Sequence, residues 1–308
     1  MQRSYRCQIV RIEKRYLVKK FFKISGIIVL LLLTILVIIG KTGAFDMAKS
    51  NDEIIEAFNN QNASPPIFTS YETGDNTIGY MSNVYKPFEP TIIFFHGSPG
   101  SKDAYLDYFF SDKLQAYNLI SVDRPGYGNS GKGYAVRQIE DQAKLFKPLL
   151  EKYKNENVVL VGHSLGGPLI ARMAMDYQEL VDGLVIVAGS VAPKEEPATW
   201  WRKIFDVPPF RWLLPSSLKV CNQEIIPAKS ELEKMLPLWE TLACNIEVVH
   251  GDMDKLVPVA NAHFMADAAV NANVNLKIIE GKGHFILWEN VPEIEASIIN
   301  CFPNDVAH

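Results

Sequence analysis

The sequence predicts an α/β fold: a mostly parallel, eight-stranded sheet covered by helices on both faces, with a helical cap and one N-terminal transmembrane helix ahead of it. Three observations carry that prediction. Short apolar segments alternate with amphipathic ones from residue 91 to residue 301, some fifty residues rich in proline and tryptophan interrupt the alternation once, and an uncharged apolar run stands near the start. The 308 residues suit one domain plus an appendage, because folds of this class often use about 250 residues in a single domain.

The apolar run, residues 24–40, reads ISGIIVLLLLTILVIIG. Seventeen residues rise roughly 25 Å as a helix, and Phe21 and Phe22 extend the apolar length. All faces of such a helix are apolar, which suits lipid better than the wall of a protein core. Residues 1–23 carry eight basic side chains against Glu13 alone, a local charge of +7 that leaves −11 over the rest of the chain. By the positive-inside rule this basic segment stays in the cytoplasm, and everything after Lys41 lies on the outer, periplasmic or extracytoplasmic side. A signal peptide cleaved after Thr42-Gly43-Ala44 is the competing reading. The apolar core is longer than such peptides use, so a retained anchor is expected. The acidic remainder has no basic stripe, which argues against nucleic acid as a partner.

Residues 41–66 are expected to form a stalk or linker: 45–60 show a mild helical pattern, which the two prolines at 65 and 66 end. Residues 67–73 and 77–84 read as a hairpin around Gly74-Asp75-Asn76. Then come a strand at 91–95, a helix at about 102–115, a strand at 119–122 and a helix at about 136–153. A strand at 158–161, a helix at 165–177 and a strand at 184–188 follow. After the interruption the pattern resumes with a strand at 246–250, a helix from Pro258, a strand at 274–279 and a last helix to Cys301. Continuous apolar strands separated by amphipathic helices mean a sheet buried on both faces, so 67–308 reads as one domain.

The interruption, about 190–243, holds Trp200, Trp201, Trp212 and Trp239, four of the chain's five tryptophans. An insertion of that length is expected as helical segments folded over the carboxyl edge of the sheet, where open α/β sheets bind ligands. Its aromatics suit either ordinary packing or the lining of an apolar pocket. Cys7 precedes the apolar run, and Cys221, Cys244 and Cys301 follow it; a Cys221–Cys244 bridge and buried free thiols both stay open. No Cys/His cluster has metal-ligand spacing, so neither metal nor cofactor is expected.

Four motifs carry chemistry. Residues 158–167 read VVLVGHSLGG, in which Gly162-His163-Ser164-Leu165-Gly166 follows an apolar strand and opens an apolar helix. A serine on so tight a strand-to-helix turn has strained backbone angles, and the flanking glycines remove side chains that would clash. Residues 94–100, FFHGSPG, follow the strand at 91–95. Residues 250–258, HGDMDKLVP, follow the strand at 246–250, and Gly281-Lys282-Gly283-His284 follows the strand at 274–279.

These motifs, in this order, resemble the α/β-hydrolase family over about residues 91–301, in its serine esterase and lipase-like branch with a cap insertion. The resemblance implies an α/β-hydrolase fold with Ser164 as nucleophile, Asp254 as the acid and His284 as the general base. Asp252 is the alternative acid. It also implies that the backbone N–H groups of Ser98 and Leu165 form an oxyanion hole, where preorganised donors stabilise the charge that attack on an ester creates. Asp123-Arg124-Pro125-Gly126-Tyr127-Gly128-Asn129-Ser130 resembles a family turn and reads as structural, as do His96 and His163.

A serine rather than an aspartate at the elbow implies acyl transfer and counts against the branches with a carboxylate nucleophile. The expected activity is hydrolysis of a small-molecule or lipid ester through an acyl-enzyme, on a membrane-anchored chain. Prolyl-aminopeptidase-like, thioesterase or perhydrolase activity and a catalytically silent anchored binding protein are the alternatives.

Overall fold

The computed structural model describes residues 48–131 and 133–302, with 19–21, 23–27, 31 and 34 nearer the N-terminus. The expected cytoplasmic segment and apolar run fall mostly outside the described residues, as do Cys7 and His308. Among the described residues no helix is long and apolar enough to cross a membrane.

Eight strands form one sheet: β1 (Ile67–Thr73), β2 (Asn76–Ser82), β3 (Thr91–Phe95), β4 (Asn118–Val122), β5 (Val158–His163), β6 (Gly183–Val187), β7 (Asn245–Gly251) and β8 (Asn273–Ile279). Their order is β1-β2-β4-β3-β5-β6-β7-β8. β2 runs antiparallel to β1 and β4, and every pairing from β4 to β8 is parallel. The main helices are α1 (Asn51–Asn60), α2 (Ile139–Lys152), α3 (Gly166–Asp176), α4 (Ser216–Ile225), α5 (Ala228–Met235), α6 (Ala260–Ala268) and α7 (Val291–Cys301).

Side chains alternate across a strand, so each central strand feeds two cores. Ile93 and Phe95 of β3, with Val158 and Leu160 of β5, pack with Phe146 and Leu150 of α2 and Leu169 and Met173 of α3. Ile92 and Phe94, with Val159 and Val161, pack with Tyr105, Tyr108 and Phe109 and with Ile294 and Ile298 of α7. Both faces are therefore dry, and β3 to β6 are buried at every position.

Two segments differ from the sequence reading. The stalk carries a docked helix: Ser50 caps α1, its side chain accepting from the Glu53 N–H while the Glu53 carboxylate accepts from the Ser50 N–H. Ile54 and Phe58, one turn apart, are buried in the second core, and Phe58 meets Phe110 edge-on with ring centroids 4.8 Å apart. The helix is thus part of the folded body rather than a free spacer. The helix expected at 102–115 is instead three short turns, Lys102–Tyr105, Leu106–Phe109 and Asp112–Leu114. Its start is fixed because Asp123 accepts from both the N–H and the Nζ of Lys102, at 2.8 and 3.0 Å. Tyr105 and Tyr108 pack at a tilt against Phe94 and donate their hydroxyls to the Phe95 and Leu287 carbonyls. The segment follows the sheet surface, not one helix axis.

The interruption leaves β6 at the carboxyl edge. Asn261, from α6, accepts the N–H groups of Val191 and Ala192 and pins its base. A 3-10 segment (Trp200–Asp206), a turn (Phe210–Leu213), α4, α5 and a second 3-10 segment (Leu236–Thr241) follow before β7. Trp239 is fully buried in the first core, whereas Trp200 and Trp212 are 72% and 69% exposed. The tryptophans therefore divide between packing and surface. Cys221, Cys244 and Cys301 are free thiols.

Candidate active site

β5 ends at His163, and α3 begins at Gly166, leaving two residues for the turn. Ser164 makes that turn with φ +53°. The elbow packs so closely that a Cβ at Gly166 would stand 2.3 Å from the Phe95 carbonyl oxygen, and one at Gly162 2.5 Å from that of Gly166. Neither position accepts a side chain. Hydrogen bonds hold the turn in place: Ser164 N–H donates to Val187, and the Ser164 carbonyl accepts from Gly167 and Ser190.

The Ser164 Oγ lies 3.1 Å from Nε2 of His284, whose Nδ1 lies 2.7 Å from Oδ2 of Asp254. All three side chains are buried to within a tenth of their surface. Asp254 and His284 come from loops after neighbouring strands, β7 and β8, paired in register up to Gly251 and Ile279. The Lys282 carbonyl accepts from Met253 N–H, so the two loops are tied to each other. Oδ1 of Asp254 accepts from the N–H groups of Leu256 and Val257, and His250 Nε2 stands 3.5 Å from Oδ2. Burial pushes the Asp254 carboxyl up, but hydrogen bonds from His250, His284 and Val257 outweigh it and hold the group below the usual carboxylate range. A carboxylate so fixed at Nδ1 leaves Nε2 free to face Ser164. Asp252 lies elsewhere: it is exposed and accepts from Gly281 N–H, bracing the loop that carries His284.

Gly97 brings the turn after β3 onto the serine. A Cβ there would lie 3.0 Å from that of Ser164 and 3.1 Å from Nδ1 of His163. The Ser98 and Leu165 N–H groups flank this contact, and neither is taken by a carbonyl or side chain of the described residues. His96 accepts the Arg124 N–H at Nε2 and donates from Nδ1 to Gly97, and burial drives its imidazole well below the ordinary range. His163 is lowered to about 3 by burial, with help from the charge on His284. Its Nε2 donates to the His284 carbonyl at 3.1 Å. Both histidines therefore stay neutral and act as braces, the first on the turn at 97–98 and the second on the backbone of His284.

One residue escaped the sequence reading. Glu224, on α4 of the cap, is buried and pairs with Arg124 at 2.5 Å. Its Oε2 accepts from the hydroxyls of Ser98 and Tyr127, both at 2.8 Å, and its Oε1 from Gln142 at 3.0 Å. Arg124 also donates to Gln142 and to the Gly97 carbonyl. This hub ties the cap to the turn that carries Ser98. Arg124 lies in a motif legible in the sequence, but nothing in the cap marks Glu224.

A serine elbow of this geometry, on a sheet of this strand order, meets a family match: a model described as the alpha/beta hydrolase fold covers residues 90–214. The chain has the α/β-hydrolase fold. It is 24% identical over 242 residues to an uncharacterised protein of Mycobacterium tuberculosis, covering 64% of this chain and 70% of that one. Among solved structures it resembles a putative lipase from Acinetobacter baumannii at TM-score 0.62 and 19% identity, over 82% of this chain and 98% of the other. A putative aryl esterase from Burkholderia cenocepacia matches it at TM-score 0.60 and 20% identity, over 76% of this chain and 97% of the other.

Removing one partner of a buried ion pair strands the other charge, which typically costs about 3 to 5 kcal/mol. Glu224→Ala is expected to lower the free energy of unfolding in urea by that amount, and Arg124→Met added to Glu224→Met to recover much of the loss. A single variant costing under about 1 kcal/mol would show that the cap is not held here.

Proposed function

We propose that the chain is a membrane-anchored serine hydrolase that cleaves carboxylic esters, with lipid esters as its substrate class. The observation that supports it most is the continuous line from Ser164 through His284 to Asp254, with contacts of 3.1 and 2.7 Å. On this reading Ser164 Oγ attacks the ester carbonyl while His284 Nε2 takes its proton, and Asp254 holds the imidazole in the tautomer that leaves Nε2 free. The tetrahedral oxyanion accepts from the N–H groups of Ser98 and Leu165, each worth about 3 kcal/mol in the transition state. His284 then returns the proton to the leaving alkoxide, and a water activated by the same imidazole cleaves the acyl-enzyme.

Lipid esters are favoured by the surface of the cap. Trp200, Val207 and Trp212 are more than half exposed, and Trp201, Ile204, Phe205 and Phe210 are partly so. So many large apolar groups on one insertion suit contact with acyl chains or an interface. The apolar run 24–40 behind a basic segment supports the anchor, and the charge asymmetry supports an outer location for the hydrolase domain.

A fluorophosphonate probe is expected to label the detergent-solubilised chain and to lose that labelling in Ser164→Ala; labelling independent of Ser164 would overturn the serine mechanism. With p-nitrophenyl esters from acetate to palmitate, kcat/KM should rise with chain length and lose that rise when Trp200 and Trp201 become alanine. A steady preference for acetate would reject lipid esters.

Asp254→Asn should lower kcat by about 10⁴ in a folded protein, whereas Asp252→Asn should change it by less than about tenfold. Equal losses would place the acid elsewhere.

Protease added to intact expressing cells or spheroplasts should digest the hydrolase domain and leave residues 1–23 protected. A domain protected along with them would reverse the orientation.

A further inference from the structure

A cavity of about 580 Å³ opens on the cap, away from the three residues just discussed, between the segment after the Asp123–Ser130 turn and the insertion. Its wall includes Tyr134 and Arg137 from the first, and Arg211, Trp212, Lys219 and Gln223 from the second. Three cations therefore face one concave space. Arg137 donates to Asp206 at 2.8 and 3.0 Å, and Gln223 donates to the same carboxylate at 2.8 Å. Arg211 and Lys219 have no carboxylate within ion-pair distance among the described residues; Lys219 lies over the Tyr134 ring, 5.8 Å from its centroid. Burial and the charge of Arg211 both push the Lys219 ammonium down, as expected of cations crowded without a counter-ion.

Such an arrangement is costly for a protein unless something negative enters. Like charges on a concave wall focus positive potential into the space they enclose. The donors suit one ligand chemistry better than another. A carboxylate is satisfied by a single guanidinium fork, whereas here a fork on the Phe210–Leu213 turn and a point charge on α4 converge with the free edge of Arg137. A doubly charged tetrahedral group has oxygens for all of them. Beside the cations, Trp212 and Tyr134 are 69% and 79% exposed and offer apolar surface to whatever the anionic group is attached to.

We propose that this cavity binds a phosphate monoester, with Arg211 and Lys219 as its principal ligands and Arg137, oriented by Asp206, as a third. The phosphate can belong to the headgroup of an anionic lipid or to a soluble phosphate ester, and the two sources differ in whether the aromatic surface is used. Gln223 lines the cavity and Glu224, the next residue, holds the Ser98 hydroxyl, so the site and the elbow region share one turn of α4. The proposal stands apart from the hydrolase reading, because the cavity contains none of Ser164, Asp254 or His284.

The test uses the full chain in neutral detergent, carrying Ser164→Ala so that no ester is turned over. Calorimetric titrations with inorganic phosphate, glycerol 3-phosphate and dihexanoyl phosphatidic acid are compared in that protein, in Arg211→Gln/Lys219→Gln and in Lys219→Arg. Saturable binding that weakens at least about tenfold in the double variant, persists in Lys219→Arg and falls with added salt is expected. Tighter binding of phosphatidic acid than of glycerol 3-phosphate, lost in Trp212→Ala, would assign the lipid source. Equal affinity for the two would assign a soluble ester. Absence of saturation by all three ligands at millimolar concentration, or unchanged affinity in the double variant, would overturn the site.

Discussion

The backbone of Ser164 is the constraint on which the rest of the structure depends. A non-glycine residue at φ +53° costs on the order of 1 to 3 kcal/mol, and it persists only where its surroundings allow no alternative. Here they are fully determined. β5 lies between β3 and β6, so the elbow has the Phe95 carbonyl on one side and accepts from Ser190 on the other. Relaxing the serine would drive α3 into β3. The central strands, buried at every position, supply the stability from which that local cost is met.

A second constraint works from above. The turn at 97–98 reaches Ser164 because Gly97 has no side chain, and it is held there by groups that never touch the serine: His96, Arg124, Tyr127 and Glu224. Burying Arg124 and Glu224 is favourable only while they face each other, so the cap and the sheet must dock in one register. On the proposed mechanism the same docking fixes the N–H of Ser98, although the carboxylate responsible sits 126 residues away in sequence.

Much of this was legible in the sequence because the constraints are local. Gly162 and Gly166 are written beside the serine they make room for, and the apolar runs of β3 to β6 could only be strands buried on both faces. The expectation of Asp254 over Asp252 came from the family resemblance of the segment 250–258, which left Asp252 open, and the separate task of Asp252 is visible only in its bond to Gly281. What escaped depends on partners distant in the chain. Glu224 looks like any charge on a polar helix until Arg124 is brought to it. The segment at 102–115 has a helical pattern, yet Phe94 and Asp123 draw it into separate turns. Residues 51–60 offered Ile54, Ala57 and Phe58 as a short apolar stripe, too little to distinguish a docked helix from a spacer.

That docked helix has a mechanical consequence. Without it, the chain between Gly40 and Ile67 would be a leash of about 90 Å at full extension, long enough for the domain to tumble freely over a bilayer. With Ile54 and Phe58 seated in the core, the folded body begins at Ser50, so at most ten residues, a contour of no more than about 35 Å, separate it from Gly40. On the proposed anchoring, the domain stays within about 35 Å of the end of the apolar run, less than the diameter of about 45 Å expected for a domain of its length. Encounter with a substrate in the same leaflet then becomes a search in two dimensions rather than three, its frequency set by lateral diffusion and by the length of ten residues.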